Sequence, residues 1–500
     1  MRARCLAALI SFLMAPAVVT YTAAQPSLEE HRTLSVSPGG GSGNGLIPAA
    51  TLTPSGIDSF ITDHMQRNRS PGLAACIVKG GRLAWEGYYG YADWALQKAV
   101  GPNTSFMLAS VSKTVTGTAL LQLWEQGKFQ LDDDVGAHLT FSVRNPHYPG
   151  VPITFRQLMS HVSSINDTWD KMPYFQGDSP LALGWYLSEY LTPKGSYYAA
   201  TNYLGTAPGT QFTYCNVAVA LCGYLVEAIS GVPFDRYCRD SIFVPLGMTN
   251  TAWFIRDLDT TLIARPYTWS SGGYVDHGLY GYTDFPAGAL RTTARSLGQF
   301  LLAHIGWGRW NGVRILDSTT IRLIRTVQYP KLNSSWGMIW FREAIGGRIC
   351  WGHGGRDAGV QTWMYLAEAE DYGVIVLTNF SPADSRPVAA ALLAMADTML
   401  VDVNDQSGGP EAPTSFVLEQ NYPNPFNPTT VVSFQLSAAS AVRLAVYDLL
   451  GREVAVLVNE RKEPGTYTVR FDATRFASGV YVYRLTAGGV FQTRRMLRLR

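Results

Sequence analysis

Apolar residues enter the chain at helical spacing, with Ile57, Phe60, Ile61 and Met65 on one face. The period then changes. Residues 73–78 form a short, nearly continuous apolar run, Gly80-Gly81 interrupts it, and 83–91 resumes in extended character, which predicts a helix followed by a β-hairpin. Helical spacing returns through Val115, Ala119, Leu120, Leu123 and Trp124. The middle of the chain alternates helical stretches with loops rich in Gly, Pro and aromatic residues. Strands are expected at 336–341, 360–366 and 374–377, with His353 at the edge of that group, and an Ala-, Leu- and Met-rich helix over 386–402 closes the domain. Helix, hairpin, helices and late strands predict an α+β domain over 53–402.

The texture changes at both ends. Residues 403–415 include Ser407-Gly408-Gly409-Pro410 and read as a linker. Beyond it, 431–436, 442–447, 467–471, 480–485 and 491–499 alternate apolar and polar residues between turn signals, the pattern of a small immunoglobulin-like β-sandwich over 416–500. At the other end, Arg2 and Arg4, the apolar run 6–19 and the small residues of 21–24 predict a signal peptide over 1–24. Residues 25–52 contain Gly39-Gly40-Gly41-Ser42-Gly43 and read as a flexible tether. No later run has the length and apolarity of a transmembrane span.

Composition narrows the function classes. With 47% hydrophobic and 16% charged residues the chain can bury a large core, and a formal charge of +2 argues against a nucleic-acid partner. Removal of the signal leaves Cys76, Cys215, Cys222, Cys238 and Cys350; they are spaced like small buried residues and form no zinc-ligand pattern. No metal or other cofactor is expected. Asp132-Asp133-Asp134 is expected to cap a local turn.

The candidate chemistry begins at Ser110-Val111-Ser112-Lys113. A lysine three residues after a serine on a helix shares its face, so the amine can take the hydroxyl proton and activate a nucleophile. Placement at a helix N-terminus would also favour negative charge on a bound oxygen. The plain alternative is that Ser110 only caps the helix. Ser112, one position before the lysine, faces elsewhere. A density of aromatic residues at 185–214, including Trp185, Tyr186, Tyr190 and Tyr203, either lines a cleft or packs under a long loop. The chain has no Gly-x-Ser-x-Gly elbow, His-Glu-x-x-His motif or phosphate-binding glycine loop.

Residues 53–400 resemble the serine β-lactamase and penicillin-binding hydrolase family, on its class C side. The resemblance rests, in chain order, on Pro71-Gly72-Leu73, Ser110-Val111-Ser112-Lys113, Leu158-Met159-Ser160-His161, Pro208-Gly209-Thr210 leading to Tyr214-Cys215-Asn216, Pro245-Leu246-Gly247-Met248, and His353-Gly354-Gly355. It implies a β-lactamase/transpeptidase-like fold, an antiparallel sheet with flanking helices and a helical region. It implies that Ser110 forms an acyl-enzyme, that Lys113 and Tyr214 share the acid–base work, and that Asn216 holds Lys113 and the substrate amide. The N–H groups of Ser110 and Arg356 would form the oxyanion hole, and Gly354 and Gly355 would let substrate lie against their strand.

Three positions depart from the family pattern. His353 stands where β-lactamases and many transpeptidases have the lysine of Lys-Thr-Gly; a histidine with an ordinary pKa of about 6.5 is mostly neutral at pH 7, which weakens recognition of a substrate carboxylate. Cys215 replaces a serine that is normally not catalytic, and Ser163-Ser164 replaces Ser-Gly. His161 is expected to be structural.

The tail resembles the type A C-terminal sorting domain of type IX secretion, through Asn421-Tyr422-Pro423-Asn424-Pro425-Phe426, Tyr447-Asp448-Leu449-Leu450-Gly451-Arg452 and the basic end after Arg494. That resemblance implies the type IX machinery as partner and a secreted or cell-surface location; the alternative is an ordinary substrate- or wall-binding sandwich. Together the expectation is an exported serine hydrolase acting on a small-molecule or peptide ester or amide. Within that class the rivals are an esterase or D-peptidase, favoured by His353, and a β-lactamase or D,D-carboxypeptidase. The rival from another class is a catalytically silent surface binding protein.

Overall fold

The structure is a computed structural model that describes residues 54–368, 370–399, 416–418, 420–421, 424–436 and 438–499. The expected signal at 1–24, tether at 25–52 and linker at 403–415 lie outside the described residues. Helix α1 (Pro54–Asn68) carries the predicted apolar face, with Ile57 and Ile61 fully buried. The hairpin follows as β1 (Gly72–Lys79) and β2 (Arg82–Asp93), and β3 (Lys98–Ala99) lies beside β2.

The helical region comprises α2 (Ser112–Glu125), α3 (Asn216–Ser230) and α4 (Ala294–Ile305) among shorter turns. Two short strands cross it as a pair, β4 (Tyr174–Gln176) and β5 (Tyr280–Tyr282). Four strands then return, β6 (Phe341–Ile345), β7 (Arg348–Asp357), β8 (Val360–Ala367) and β9 (Tyr372–Thr378), before helix α5 (Arg386–Thr398).

All seven strands of the two groups join in one sheet, ordered β6-β7-β8-β9-β1-β2-β3. The seam is antiparallel, with Leu73 opposite Thr378. Side chains alternate across it. Leu73, Ala75 and Ile77 pack with α1 and α5, whereas Ala74, Cys76 and Val78 face the core shared by α2, α3 and α4. Burial on both faces explains why 73–78 reads as an unbroken apolar run.

One predicted strand is corrected. Residues 336–341 are not a strand; only Phe341 begins β6. Ile339 takes a φ of +65° and donates its N–H to the Met159 carbonyl, which turns the chain out of extended conformation.

The tail forms two antiparallel sheets around one core. The first contains β10 (Val417–Leu418), β11 (Thr429–Leu436) and β14 (Gly465–Asp472); the second runs β13-β12-β15-β16, with β12 at Ser440–Tyr447, β13 at Glu453–Lys462, β15 at Gly479–Ala487 and β16 at Val490–Arg498. Val432, Phe434, Leu444, Val446, Tyr483 and Leu485 fill the space between them, so the tail is a β-sandwich. The sequence reading lacked β13, an edge strand whose last residues are Glu460, Arg461 and Lys462.

Among the described residues no single helix is long and apolar enough to cross a membrane. The five described cysteines are buried and unpaired with one another.

Candidate active site

Ser110 sits in a single 3₁₀ turn, Ala109–Val111, immediately before α2. Ala109 takes a φ of +46°, a left-handed conformation that costs a residue with a Cβ about 1–2 kcal/mol. That sharp turn lies against β7. A Cβ on Gly355 would come within 2.2 Å of the Leu108 carbonyl oxygen and 3.1 Å of Ser110 N, and one on Gly354 would strike the Trp363 ring at 2.1 Å. The bare positions of both glycines are therefore filled by protein. Thr362 on β8 fixes the same turn through a 2.6 Å bond to the Leu108 carbonyl.

Lys113 projects from α2 and is fully buried. Its Nζ donates to Ser110 Oγ at 2.9 Å, Asn216 Oδ1 at 2.7 Å and the Ala287 carbonyl at 2.5 Å. Burial lowers the Lys113 pKa to about 8, against the opposing pull of Asp167, Asp284, Cys215 and Asp357. Ser112 points away, accepting from Leu290 N.

Tyr214 and Asn216 flank the N-cap of α3. The Lys113 Nζ stands 5.1 Å from the centroid of the Tyr214 ring. Desolvation holds the Tyr214 phenol well above its ordinary range, only partly opposed by its hydrogen bond with Ser110. Cys215 caps the helix, its Sγ accepting from Ala218 N at 3.3 Å.

One residue that the sequence reading did not single out is Asp167. It accepts from Asn216 N and Asn216 Nδ2, both at 2.8 Å, from Val217 N at 3.0 Å and from Cys215 Sγ at 3.2 Å. Its loop is pinned by the aromatic stretch. Tyr190 Oη accepts from Thr168 N and donates to the Asn166 carbonyl, while Tyr186, Tyr190 and Tyr203 are buried. Packing under a loop is thus what most of those tyrosines do. The available signal was position, an acid six residues after His161.

Five further residues singled out in the sequence can be placed. His161 is buried, accepts from Cys215 N at 3.2 Å and lies 4.5 Å from the Tyr214 ring. Ser164 adopts a φ of +63°, so the chain keeps a glycine-like conformation without glycine, and its Oγ accepts from Asn145 at 3.0 Å. Asp133 and Asp134 cap locally, accepting from Gln130 N and Gly136 N, whereas Asp132 pairs with the distant Arg156.

His353 is 2% exposed and packed among Tyr214, Trp336 and Phe341. Burial, then the Lys113 charge, lowers its pKa to about 3, so its imidazole is neutral. Beside it β6 stops pairing at Gly352, which leaves one edge of 353–357 uncovered by that strand. The Arg356 side chain turns away, toward the Pro382 carbonyl.

Known proteins share this fold. The octameric penicillin-binding protein homologue from Pyrococcus abyssi superposes with a TM-score of 0.55 at 18% identity, covering 88% of this chain and 95% of that one. The D-amino acid amidase from Ochrobactrum anthropi SV3 gives 0.54 at 21% identity, covering 68% and 97%. Protein flp of Staphylococcus aureus (strain MRSA252) is 24% identical over 333 residues, 65% of this chain and 62% of that protein, so the chain spans less than two thirds of that relative's length. Residues 420–497 match the Secretion system C-terminal sorting domain. Residues 57–397 match the Beta-lactamase family over most of the chain, and the chain belongs to that family.

Proposed function

We propose that the chain is an exported serine hydrolase that cleaves an ester or amide through an acyl-enzyme on Ser110, with bounds at 53–402 for the hydrolase domain and 416–500 for the sorting domain. The observation that carries this reading is the bonding of Lys113. An ammonium has three donors, and three acceptors surround this one. When Lys113 is neutral, one of the three pairs must reverse. The Asn216 Oδ1 and Ala287 carbonyl oxygens only accept, so the hydroxyl of Ser110 is the partner that donates to Nζ. A pKa of about 8 keeps a useful neutral fraction near neutral pH.

Lys113 is then the base and Tyr214, its phenol held protonated by desolvation, the acid. As Ser110 Oγ bonds to the carbonyl carbon, its proton passes to Lys113. Collapse of the tetrahedral intermediate breaks the bond to the leaving group, which takes a proton from Tyr214, and Lys113 returns a proton to Tyr214. Water repeats the sequence to release the acid. A two-residue turn at Ala358-Gly359 sets Asp357 opposite Val360, and ladder bonds that alternate from there leave the Arg356 N–H facing away from β8. That N–H and the Ser110 N–H form the oxyanion hole. Asn216 and the uncovered edge of 353–357 hold the substrate backbone, and neutral His353 supplies no charge for a carboxylate.

The tail directs export through type IX machinery to the cell surface or medium, supported by the sorting-domain match over 420–497. Intact mass after exposure to a fluorophosphonate, beside Ser110→Ala, tests the hydrolase reading. An adduct on the wild type alone is expected; absence of an adduct on folded protein would refute it.

A further inference from the structure

The wall opposite the Lys113 pocket is acidic and aromatic. In the β4–β5 pair Tyr174 lies opposite Tyr282, and the Tyr174 ring is 5.1 Å from that of Tyr282 and 5.8 Å from that of Tyr280. Tyr174 is 42% exposed, so this wall reaches the surface. Its hydroxyl donates to Asp357 Oδ1 at 3.3 Å, an oxygen that also accepts from Ala358 N at 2.8 Å. Asp357 directly follows Arg356 on β7, the strand laid against the Ser110 turn.

Asp284 adds a second carboxylate from behind. It is 4% exposed and begins the turn Phe285–Ala287, whose last carbonyl receives Lys113. Among the described residues no side chain is found donating to its carboxylate. Asp284 and Asp357 are near enough to Lys113 that each charge acts on the amine. A carboxylate this buried, without a bonded partner side chain, carries its charge at a cost that a bound cation would relieve.

The surrounding charges do not answer it. Asp167 is committed to the α3 N-terminus and Asn216. The buried Arg291 donates to the carbonyls of Ala289 and Tyr280 instead of to a carboxylate. With Lys113 and Arg291 set against Asp167, Asp284 and Asp357, the pocket holds one more carboxylate than cation. Burial accordingly raises the Asp284 pKa to about 7 and that of Asp357 to about 6.

Resting on the hydrolase reading above, we propose that Asp284, Asp357 and the wall of Tyr174, Tyr280 and Tyr282 form a subsite for a substrate ammonium on the acyl side of the scissile bond. Asp357 lies one residue beyond the N–H assigned to the carbonyl oxygen, so it meets a group on the carbon next to that carbonyl. An α-ammonium there gains a carboxylate and the exposed Tyr174 ring, which Tyr280 and Tyr282 back from within. The substrates are then amides, peptides or esters of amino acids with a free α-amine.

The test uses the full chain and phenylalanine amide, in both enantiomers, against the N-acetylated amides. For the better enantiomer, kcat/KM on the free amine is expected to exceed that on the acetylated compound by about 100-fold. Asp357→Asn and Asp284→Asn are each expected to shrink that ratio about tenfold, through KM for the free amine. Fluorophosphonate modification of Ser110 is read on the same preparation. A labelled enzyme that prefers the acetylated amide, shows no preference, or cleaves neither overturns this inference and leaves the hydrolase reading standing; failure to label overturns the reading on which it rests.

Discussion

Asp167 grips Asn216 twice through one oxygen, its Oδ2 accepting at 2.8 Å from both the backbone N and the side-chain Nδ2. This fixes which way the amide points. With Nδ2 committed to Asp167, Oδ1 must face Lys113, where it accepts at 2.7 Å. The orientation of a residue inside the signature is therefore set by one outside it.

Asp167→Asn is expected to lower kcat/KM by about 100-fold. A steady-state pH profile distinguishes positioning from simple damage. Asp167 raises the Lys113 pKa, so its removal should move the acid limb of the profile to lower pH.

In the wild type, kcat/KM is expected to rise about tenfold per pH unit on the acid side and level off above about pH 8, where Lys113 loses its proton. The sign follows from the role, because only the neutral amine accepts the Ser110 proton. Lys113→Met should remove the limb and about 1000-fold of rate. A profile that falls through this range would make Lys113 an acid instead.

His353→Lys should raise the rate of acylation by a penicillin about tenfold, the ~1.5 kcal/mol of one charged hydrogen bond to the substrate carboxylate. The new ammonium stands near Lys113, whose charge already depresses the group at this position. The acid limb should therefore also shift downward. Stopped-flow acylation and the same pH profile read both effects.

Ser164 offers a stability test. Glycine there removes a left-handed strain of about 1–2 kcal/mol and loses a hydrogen bond of about 1, so Ser164→Gly should leave stability within about 1 kcal/mol of wild type. Ser164→Val keeps the φ of +63° with a branched side chain and should cost about 2 kcal/mol or more. Denaturant unfolding of both variants measures the difference.

A chain ending at Asp402 should accumulate short of the cell surface, whereas the full chain reaches it. Fractionation with an antibody to the hydrolase domain tells them apart. Surface display of the shortened chain would remove the sorting role from residues 416–500.

The contact between Ser110 and Lys113 was readable from the sequence, and the charges around Lys113 were not. Ser110 and Lys113 are three residues apart in one helical segment, so their contact is local and spacing predicts it. Tyr214, Asn216 and His353 were found only because their triplets resemble a family's. Asp167, Asp284 and Asp357 come from a loop, a turn and a strand end, and nothing in their local pattern tells that they converge on one amine. The fold divided similarly. The buried strands β1, β8 and β9 were plain from their apolar runs, while β13 hid behind its charged edge and 336–341 looked extended until Ile339 turned it.

The sheet that carries β7 is joined at an internal seam between its first and last strands in the chain, Leu73 on β1 meeting Thr378 on β9. Those partners are separated by most of the domain, a long-range closure that makes folding slow and late. A chain stopped before Tyr372 has the helix that follows Ser110 but no β9 to seat β8 and, through β8, the strand of His353 beside it. The residues gathered around Lys113 therefore come into register only when the last strand of the domain is in place.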